Sequence, residues 1–162
     1  MILHIREIVN QDLDECVRII REGFLTVANE FGITVENCPS NGAFIKKERL
    51  EADKEKGNLM YGLFCDNSLI GFMQLEKADN ESYYLEKLTV TPSHRHCGYG
   101  KTLLDLARKI VKELGGKWIG IGIVEENIRL KDWYTAYGFR HTGTKKFEHL
   151  PFTVGFMELN LE

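Results

Sequence analysis

The segment from Ser82 to Leu114 constrains the fold most strongly. It begins with a strand pattern, Ser82 to Val90, continues through a turn that contains Gly98 and Gly100, and ends in a helical pattern. In the helical part, apolar residues recur every three to four positions, which is typical of an amphipathic helix lying against a sheet. A strand that turns directly into such a helix predicts a mixed α/β domain.

The turn in this segment has the properties of an anion site. The first N–H groups of a helix have no intrahelical acceptor, and the helix dipole favours negative charge there. Gly98 and Gly100 permit a close backbone approach and a positive φ, while Arg95 and Lys101 add positive charge. A tight turn without a ligand is the alternative interpretation. The chain contains neither the P-loop pattern nor the GxGxxG dinucleotide fingerprint, which disfavours ATP and NAD.

The remaining segments also mix strand and helix patterns, and they predict one domain over residues 1–162. A helix is expected to follow a cap at Asn10, and a second, charged helix to end at Gly57. The predicted strands are Ile2–Ile8, Leu59–Cys65, Leu69–Glu76, Ser82–Val90, Trp118–Val124, Phe139–Phe147 and Phe152–Leu161. The predicted helices after the first are Phe44–Lys56, Lys101–Leu114 and Ile128–Tyr137.

Composition excludes several classes of partner. The net charge of −3 lacks the basic excess that a nucleic-acid surface needs, and it suits a cationic substrate. No stretch approaches the roughly 20 apolar residues of a membrane helix, so no membrane partner is expected. The four cysteines show no CxxC spacing and the N-terminus has no signal-peptide pattern, which predicts a cytoplasmic protein with reduced thiols. A monomer and a homodimer both remain open.

The glycine turn, residues 95–100, resembles the signature R/Q-x-x-G-x-G/A of the GNAT N-acetyltransferase family. A second family element lies downstream, where Asn127, Tyr134 and the pair Gly138-Phe139 match an Asn, a Tyr seven residues later and a Gly-Phe. The resemblance extends to the order of elements over nearly the whole chain. It implies the GNAT acyl-CoA N-acyltransferase fold, in which helices flank a central, mostly antiparallel, seven-stranded sheet.

The resemblance also implies that acetyl-CoA is the cosubstrate, and we expect no metal. In this family the strand before the turn bonds the pantetheine arm, which here assigns Leu88, Thr89 and Val90. Asn127 would also contact the cofactor. The residues that would hold the pyrophosphate are Arg95, His96, Cys97, Gly98, Tyr99, Gly100 and Lys101.

The implied reaction is direct attack of an amine on the acetyl thioester. A lysine-like amine with a pKa of ~10.4 is only about one part in 10³ neutral at pH 7, so a general base is useful. The departing thiolate needs a proton, and Tyr134 stands where the family places this general acid. The alternative for Tyr134 is a half-buried packing role beside Trp133 and Tyr137. The backbone N–H of Val90 is the implied donor to the oxyanion.

Glu86 is the candidate for the general base. In YYLEKLTV, strand alternation predicts that Glu86 shares a face with Leu88 and Val90. An exposed strand carboxylate without a catalytic role is the alternative. Three further carboxylates are the next candidates: Glu76, Glu125 and Glu126.

His94, His96 and Cys97 form a cluster that resembles a metal site only superficially. All three crowd one loop without a fourth ligand at usable spacing, and a zinc ion would compete with the pyrophosphate. The sequence therefore predicts an acetyl-CoA-dependent N-acetyltransferase that acts on a small-molecule amine. A peptide or protein acceptor and a non-catalytic CoA sensor are the alternatives.

Overall fold

A computed structural model describes residues 1–162, which form one seven-stranded sheet with two helices on each face. The strands are β1 Leu3–Glu7, β2 Leu59–Cys65, β3 Ser68–Lys77, β4 Ser82–Val90, β5 Trp118–Val124, β6 Arg140–Lys146 and β7 Thr153–Asn160. The helices are α1 Leu13–Glu30, α2 Lys47–Glu55, α3 Tyr99–Glu113 and α4 Ile128–Tyr137.

The strand order across the sheet is β1-β2-β3-β4-β5-β7-β6. Only β4 and β5 are parallel, and all the other neighbours are antiparallel. The long connection through α3 makes the parallel pair possible, because parallel strands need a crossover that a hairpin turn cannot provide. The predicted mostly antiparallel seven-stranded sheet is therefore confirmed.

Each face of the sheet buries its own apolar cluster against a pair of helices. On the α1 face, α1 and α2 contribute residues such as Cys16, Ile20 and Leu50, which are fully buried. On the α3 face, Leu103 and other apolar residues of α3 and α4 pack against the opposite side of the strands. None of the helices is long and apolar enough to cross a membrane.

Three predicted helix starts were wrong. α3 begins at Tyr99 instead of Lys101, and the other two differ for local reasons. Asn10 opens a short 3-10 turn instead of capping α1, which begins three residues later at Leu13. α2 begins at Lys47 instead of Phe44, because residues 42–44 form another 3-10 turn. The Asn41 side chain accepts a 2.9 Å hydrogen bond from the N–H of Ala43 and so favours this turn.

The parallel strands β4 and β5 are joined at one end only. They pair at Ser82–Trp118, Tyr83–Ile119 and Tyr84–Gly120, and no further pairing follows. Beyond Tyr84 the two strands diverge, which leaves a space between Leu85–Val90 and Ile121–Val124 that we call the β4–β5 gap. The glycine turn follows β4 directly, so it lies at the open end of this gap.

Candidate active site

A β-bulge in β4 sets which side chains face which way. The register between β3 and β4 shifts after Phe72, and Lys87 adopts a left-handed conformation with φ of 56°. One extra residue in a strand reverses the alternation beyond it. Glu86 therefore lies on the α1 face, where it bonds Gln74, while Leu88 packs on the α3 face. The prediction that Glu86 shares a face with Leu88 and Val90 was wrong.

The edge of β4 that borders the gap presents unpaired backbone groups. The N–H of Thr91 bonds the carbonyl of Ile70 in the β3 direction, 2.9 Å away. Because successive residues of a strand point their backbone groups to opposite edges, Leu88 and Val90 direct theirs into the β4–β5 gap. Thr89 faces β3, where it is paired with Phe72.

The side chain of Thr89 is buried beneath α1. Its hydroxyl donates a 3.0 Å hydrogen bond to the carbonyl of Lys87, which fixes the rotamer within the bulge. A Cβ atom placed on Gly23 of α1 would lie only 2.4 Å from Thr89 Cγ2. Gly23 is therefore the residue that lets α1 approach β4 this closely, and Thr89 acts in packing more than in lining the gap.

The glycine turn presents a set of free amide donors. Gly98 precedes α3 with φ of 82°, and His96 is also left-handed with φ of 63°. The backbone N–H groups of residues 96–101 make no hydrogen bond to another protein atom. Free amides at the N-terminus of a 15-residue helix create a site for an anion such as a diphosphate.

The two cationic side chains at the turn bond protein groups. Arg95 donates to the carbonyl of Gly23 at 3.0 Å and to the Thr26 hydroxyl at 3.2 Å, so it ties the turn to α1. Lys101 pairs with Asp105 one helical turn later, at 3.2 Å. His96 and Cys97 are exposed. The backbone amides, more than these side chains, thus form the anion site of this conformation.

Trp133 connects the turn with the candidate acid. A Cβ on Gly100 would lie 3.0 Å from Trp133 Cζ2, so the start of α3 packs closely against this ring and a larger residue would need the indole to shift by a few tenths of an ångström. The indole in turn contacts Tyr134 edge to face, with ring centroids 5.0 Å apart. Trp133 was not predicted as a site residue, although its position next to Tyr134 in the sequence was a usable signal.

Tyr134 is buried in the cluster on the α3 face. It is 6% exposed and packs edge to face against Phe139, 5.2 Å away between centroids. Burial raises the pKa of the Tyr134 phenol well above its usual value, so the hydroxyl keeps its proton at neutral pH. Its oxygen makes no hydrogen bond within the protein, and the oxygen is not fully buried. The hydroxyl therefore keeps its proton and has no competing hydrogen-bond partner within the protein.

Asn127 caps the N-terminus of α4. Its side-chain oxygen accepts a 3.3 Å hydrogen bond from the N–H of Leu130 and caps α4, while the residue is 7% exposed. The amide nitrogen of the same side chain makes no hydrogen bond to a protein acceptor, so it retains a donor for a ligand.

Glu86 is the acidic residue best suited to accept a proton. Burial raises the pKa of Glu86, and neighbouring Glu76 raises it further, while the Lys87 ammonium opposes the change. The net direction is upward, as a general base near neutral pH requires. The pKa of Glu76 is lowered, first by its hydrogen bond with Glu86 and then by that from Lys56, whose Nζ lies 2.9 Å from the Glu76 carboxylate.

The other two candidate bases serve structural contacts. Glu125 accepts hydrogen bonds from Lys131 of α4 and from His141 of β6, the latter at 2.8 Å. Glu126 accepts from the backbone N–H of Thr153 at 3.0 Å. The pKa values of Glu125 and Glu126 are lowered by these hydrogen bonds, which makes both carboxylates weaker bases.

A buried polar network adjoins Glu86 and was not predicted. Gln74 is completely buried and donates to Asp53 at 3.1 Å and to Glu86 at 3.4 Å. Lys87 reaches the same two carboxylates. A usable signal was present in LIGFMQL, where a glutamine interrupts the apolar run of a central strand.

His94, His96 and Cys97, the His-Cys cluster of the glycine turn, do not converge on one point. His94 Nδ1 hydrogen-bonds the hydroxyls of Thr91 and Ser93, at 2.9 and 3.1 Å. No group of three His, Cys, Asp or Glu side chains in the molecule is close enough to hold a metal ion.

Comparison with known sequences identifies related proteins. The model of the acetyltransferase (GNAT) family matches residues 27–139. A spermidine N(1)-acetyltransferase of Thermoplasma acidophilum is 31% identical over 145 residues, covering 86% of this chain and 89% of that protein. An uncharacterized N-acetyltransferase of Lactobacillus delbrueckii subsp. lactis is 27% identical over 157 residues, covering 89% and 86%.

Solved structures share the fold over the whole chain. The ribosomal-protein-S18-alanine N-acetyltransferase of Escherichia coli superposes with a TM-score of 0.80 at 14% identity, covering 99% of this chain and 95% of that one. An N-acetyltransferase of Thermoplasma acidophilum in complex with coenzyme A gives a TM-score of 0.76 at 24% identity and covers 99% of each chain.

Proposed function

Because this chain belongs to the GNAT acetyltransferase family and is an acyltransferase, we propose that it transfers the acetyl group of acetyl-CoA to a primary amine of a small, cationic acceptor. The observation that carries this proposal is spatial continuity. The turn with the free amides of residues 96–101 follows the β4 edge at Val90, its Gly100 lies against Trp133, and Trp133 contacts Tyr134.

The residues present fit acetyl-CoA, which when bound supplies an activated acetyl thioester. The amides of residues 96–101 are suited to the diphosphate, because they offer several convergent N–H donors at a helix N-terminus. Leu88 and Val90 offer N–H and carbonyl groups along the β4–β5 gap, which suits the amides of the pantetheine arm. The free amide nitrogen of Asn127 provides one more donor.

Two groups would assist departure of the thiolate and attack on the carbonyl. The Tyr134 hydroxyl, kept protonated by burial, donates its proton to the leaving sulfur. The Val90 N–H, which points into the gap, donates to the carbonyl oxygen as negative charge develops on it. Both groups belong to well-packed elements, so they are held in place before the reaction begins.

Glu86 would remove the proton from the acceptor amine. The bulge shortens the path to Val90, because Glu86 is opposite Gln74 and Val90 is opposite Gly71, three residues apart on β3, or roughly 10 Å. The proton therefore passes through water and not by direct contact. Glu86 stands on the α1 face while Tyr134 belongs to the α3 face. The base and the acid therefore approach the gap from opposite sides, as a reaction between an amine and a thioester entering from different directions requires.

A polyamine is the acceptor class that we favour. The relative that is 31% identical is a spermidine N(1)-acetyltransferase. The net charge of −3 also favours a cationic acceptor over an anionic one. A panel of spermidine, spermine, a streptothricin-type antibiotic and an alanine-terminated peptide, assayed by release of free CoA thiol, tests this choice. Turnover of the peptide alone would contradict it.

Substitution of the candidate acid tests the mechanism. Tyr134→Phe removes only the hydroxyl, and we expect turnover to fall by about 10²-fold, the typical contribution of one general acid. Acetyl-CoA affinity, measured by calorimetry, should stay nearly constant. Tyr137→Phe is the matched control, because its hydroxyl donates to Asp105 at 2.6 Å on the outer side of α3. Equal turnover in Tyr134→Phe and the parent protein would remove Tyr134 from the reaction, provided that chemistry limits the rate.

A further inference from the structure

Lys87 occupies an unusual backbone position. It is left-handed, with φ of 56°, at the bulge of a central strand. A non-glycine residue in this conformation costs on the order of 1 kcal/mol, and glycine would fill the same position without that cost. The side chain of Lys87 must therefore contribute something that the backbone geometry alone does not require.

The Lys87 ammonium is held between two carboxylates. Its Nζ lies 3.3 Å from Asp53 Oδ2 and 3.3 Å from Glu86 Oε2, and the side chain is only 13% exposed. Asp53 is also bonded by Arg49 at 3.2 Å and by Gln74 at 3.1 Å. Asp53 would thus keep two partners without Lys87, whereas Glu86 would keep the weak 3.4 Å bond from Gln74 and no cation.

The charges around Glu86 make this cation important. From α2, Asp53 faces Glu86, and Arg49 is occupied by Asp53. Lys56, which follows α2, is occupied by Glu76. From β3, Glu76 and the neutral Gln74 face it. Among these groups, Lys87 is the one cation in direct contact with Glu86, so it offsets the repulsion from Asp53 and Glu76.

We propose that Lys87 is a positioning residue of the reaction: its ammonium, oriented by Asp53, holds the Glu86 carboxylate on the α1 face and keeps it ionised at neutral pH. The inference rests on the proposed role of Glu86 as the general base. The bulge has two effects: it places Glu86 on the face opposite to Leu88 and Val90, and it brings the Lys87 ammonium next to the Glu86 carboxylate.

The test is the pH dependence of kcat/KM with the best acceptor of the panel. Lys87→Asn removes the charge and tolerates the left-handed conformation. We expect its acidic limb to move to higher pH by about one unit, the lower end of the shift caused by an adjacent opposite charge. Activity should then fall about tenfold at pH values below the limb and recover at high pH. Lys87→Arg, which keeps the charge, should leave the limb near its original position.

Controls separate this inference from a general loss of stability. Lys117→Met removes an exposed cation that pairs with Glu81 and Glu162 far from the site, and its profile should be unchanged. If Lys87→Asn fails to fold, Asp53→Asn is compared with the double variant Asp53→Asn/Lys87→Asn, which leaves no unpaired charge at position 53. The acidic limb of the double variant should again lie at higher pH.

Two outcomes overturn different parts of the interpretation. A folded Lys87→Asn protein with an unshifted limb contradicts the role of Lys87. Glu86→Gln should abolish the acidic limb altogether, and a limb that persists in this variant contradicts the role of Glu86 as the base. Loss of the limb in Glu86→Gln together with no shift in Lys87→Asn would reject the positioning role and leave the proposed function intact.

Discussion

The contact between Gly23 and Thr89 yields a sharp test of how α1 sits on the sheet. Gly23→Ala would place a methyl group 2.4 Å from Thr89 Cγ2. Carbon atoms in contact normally lie about 3.5–4.0 Å apart, so the overlap exceeds roughly 1 Å. Rotation of the Thr89 side chain would relieve the overlap only by breaking its 3.0 Å hydrogen bond to the carbonyl of Lys87.

The expected energies follow from these distances. Overpacking of this size costs up to about 3 kcal/mol, while alanine in a helix gains about 1 kcal/mol over glycine, so Gly23→Ala should lose about 2 kcal/mol. Thr89→Ser removes the buried Cγ2 and should lose about 1 kcal/mol, but it keeps the hydroxyl. In the double variant the new methyl group occupies the space of the old one. We therefore expect nearly parental stability, against an additive loss of about 3 kcal/mol.

Denaturant unfolding of the four proteins in this cycle measures the coupling. A coupling of about 2–3 kcal/mol, with unchanged dependence on denaturant concentration, is the expected result. Thr142→Ser is the matched control, since Thr142 also bonds a backbone carbonyl at 3.2 Å but is exposed. Additive losses would show that the close approach at Gly23 does not limit the position of α1, and the packing argument would then be wrong.

Three further predictions concern the turn, α4 and the cysteines. Gly98→Ala should weaken acetyl-CoA binding several-fold and destabilise the fold by about 1 kcal/mol, because φ at Gly98 is 82°; a Cβ there meets no other atom, so the cost is that of the backbone conformation alone. Gly98→Asn, compared by calorimetry and unfolding, should lose less affinity and less stability, because asparagine tolerates this conformation. The hydrogen bond from Lys131 lowers the pKa of Glu125 in the folded protein. The contribution of Glu125 to stability is therefore complete above the pKa of the unfolded chain, ~4.3, and disappears as pH falls through the lower pKa of the folded protein. The free energies of unfolding of Glu125→Gln and of the parent protein should converge in acid. Burial raises the pKa of Cys16 to about 12, so a thiol reagent should modify exposed Cys97 and spare Cys16 until the protein unfolds, and acetyl-CoA should protect Cys97.

Local patterns were sufficient to predict most of the elements. β2, β4, β5 and α4 begin and end at the predicted residues, because each is bounded by a short turn or by glycine. The seven-stranded sheet and the family also agreed with the sequence interpretation. Alternation and amphipathic periodicity are properties of neighbouring residues, so one sequence carries them without knowledge of the rest of the fold.

Features that depend on distant contacts were not accessible in this way. YYLEKLTV does carry a local signal, because its apolar positions change phase between Leu85 and Leu88, and this signal was overlooked. The residue that is left-handed is not marked, and only pairing with β3 locates the bulge at Lys87 and moves Glu86 to the other face. The side chain of Arg95 was expected at the pyrophosphate but bonds Gly23, 72 positions away. Which partner such a long cation selects is decided by how closely α1 approaches the turn, and local sequence does not encode that distance.

The short pairing between β4 and β5 divides the sheet into two parts, β1–β4 and β5–β7, whose strands are paired to each other at only three residue pairs. An extended ligand lying along β4 would hydrogen-bond the backbone of β4 where its pairing with β5 has ended. Slowed amide exchange of Leu88 and Val90 on addition of CoA would record this directly. A cosubstrate bound along β4 would add hydrogen bonds between two parts of the sheet that are otherwise joined by three residue pairs and by the apolar cluster on the α3 face.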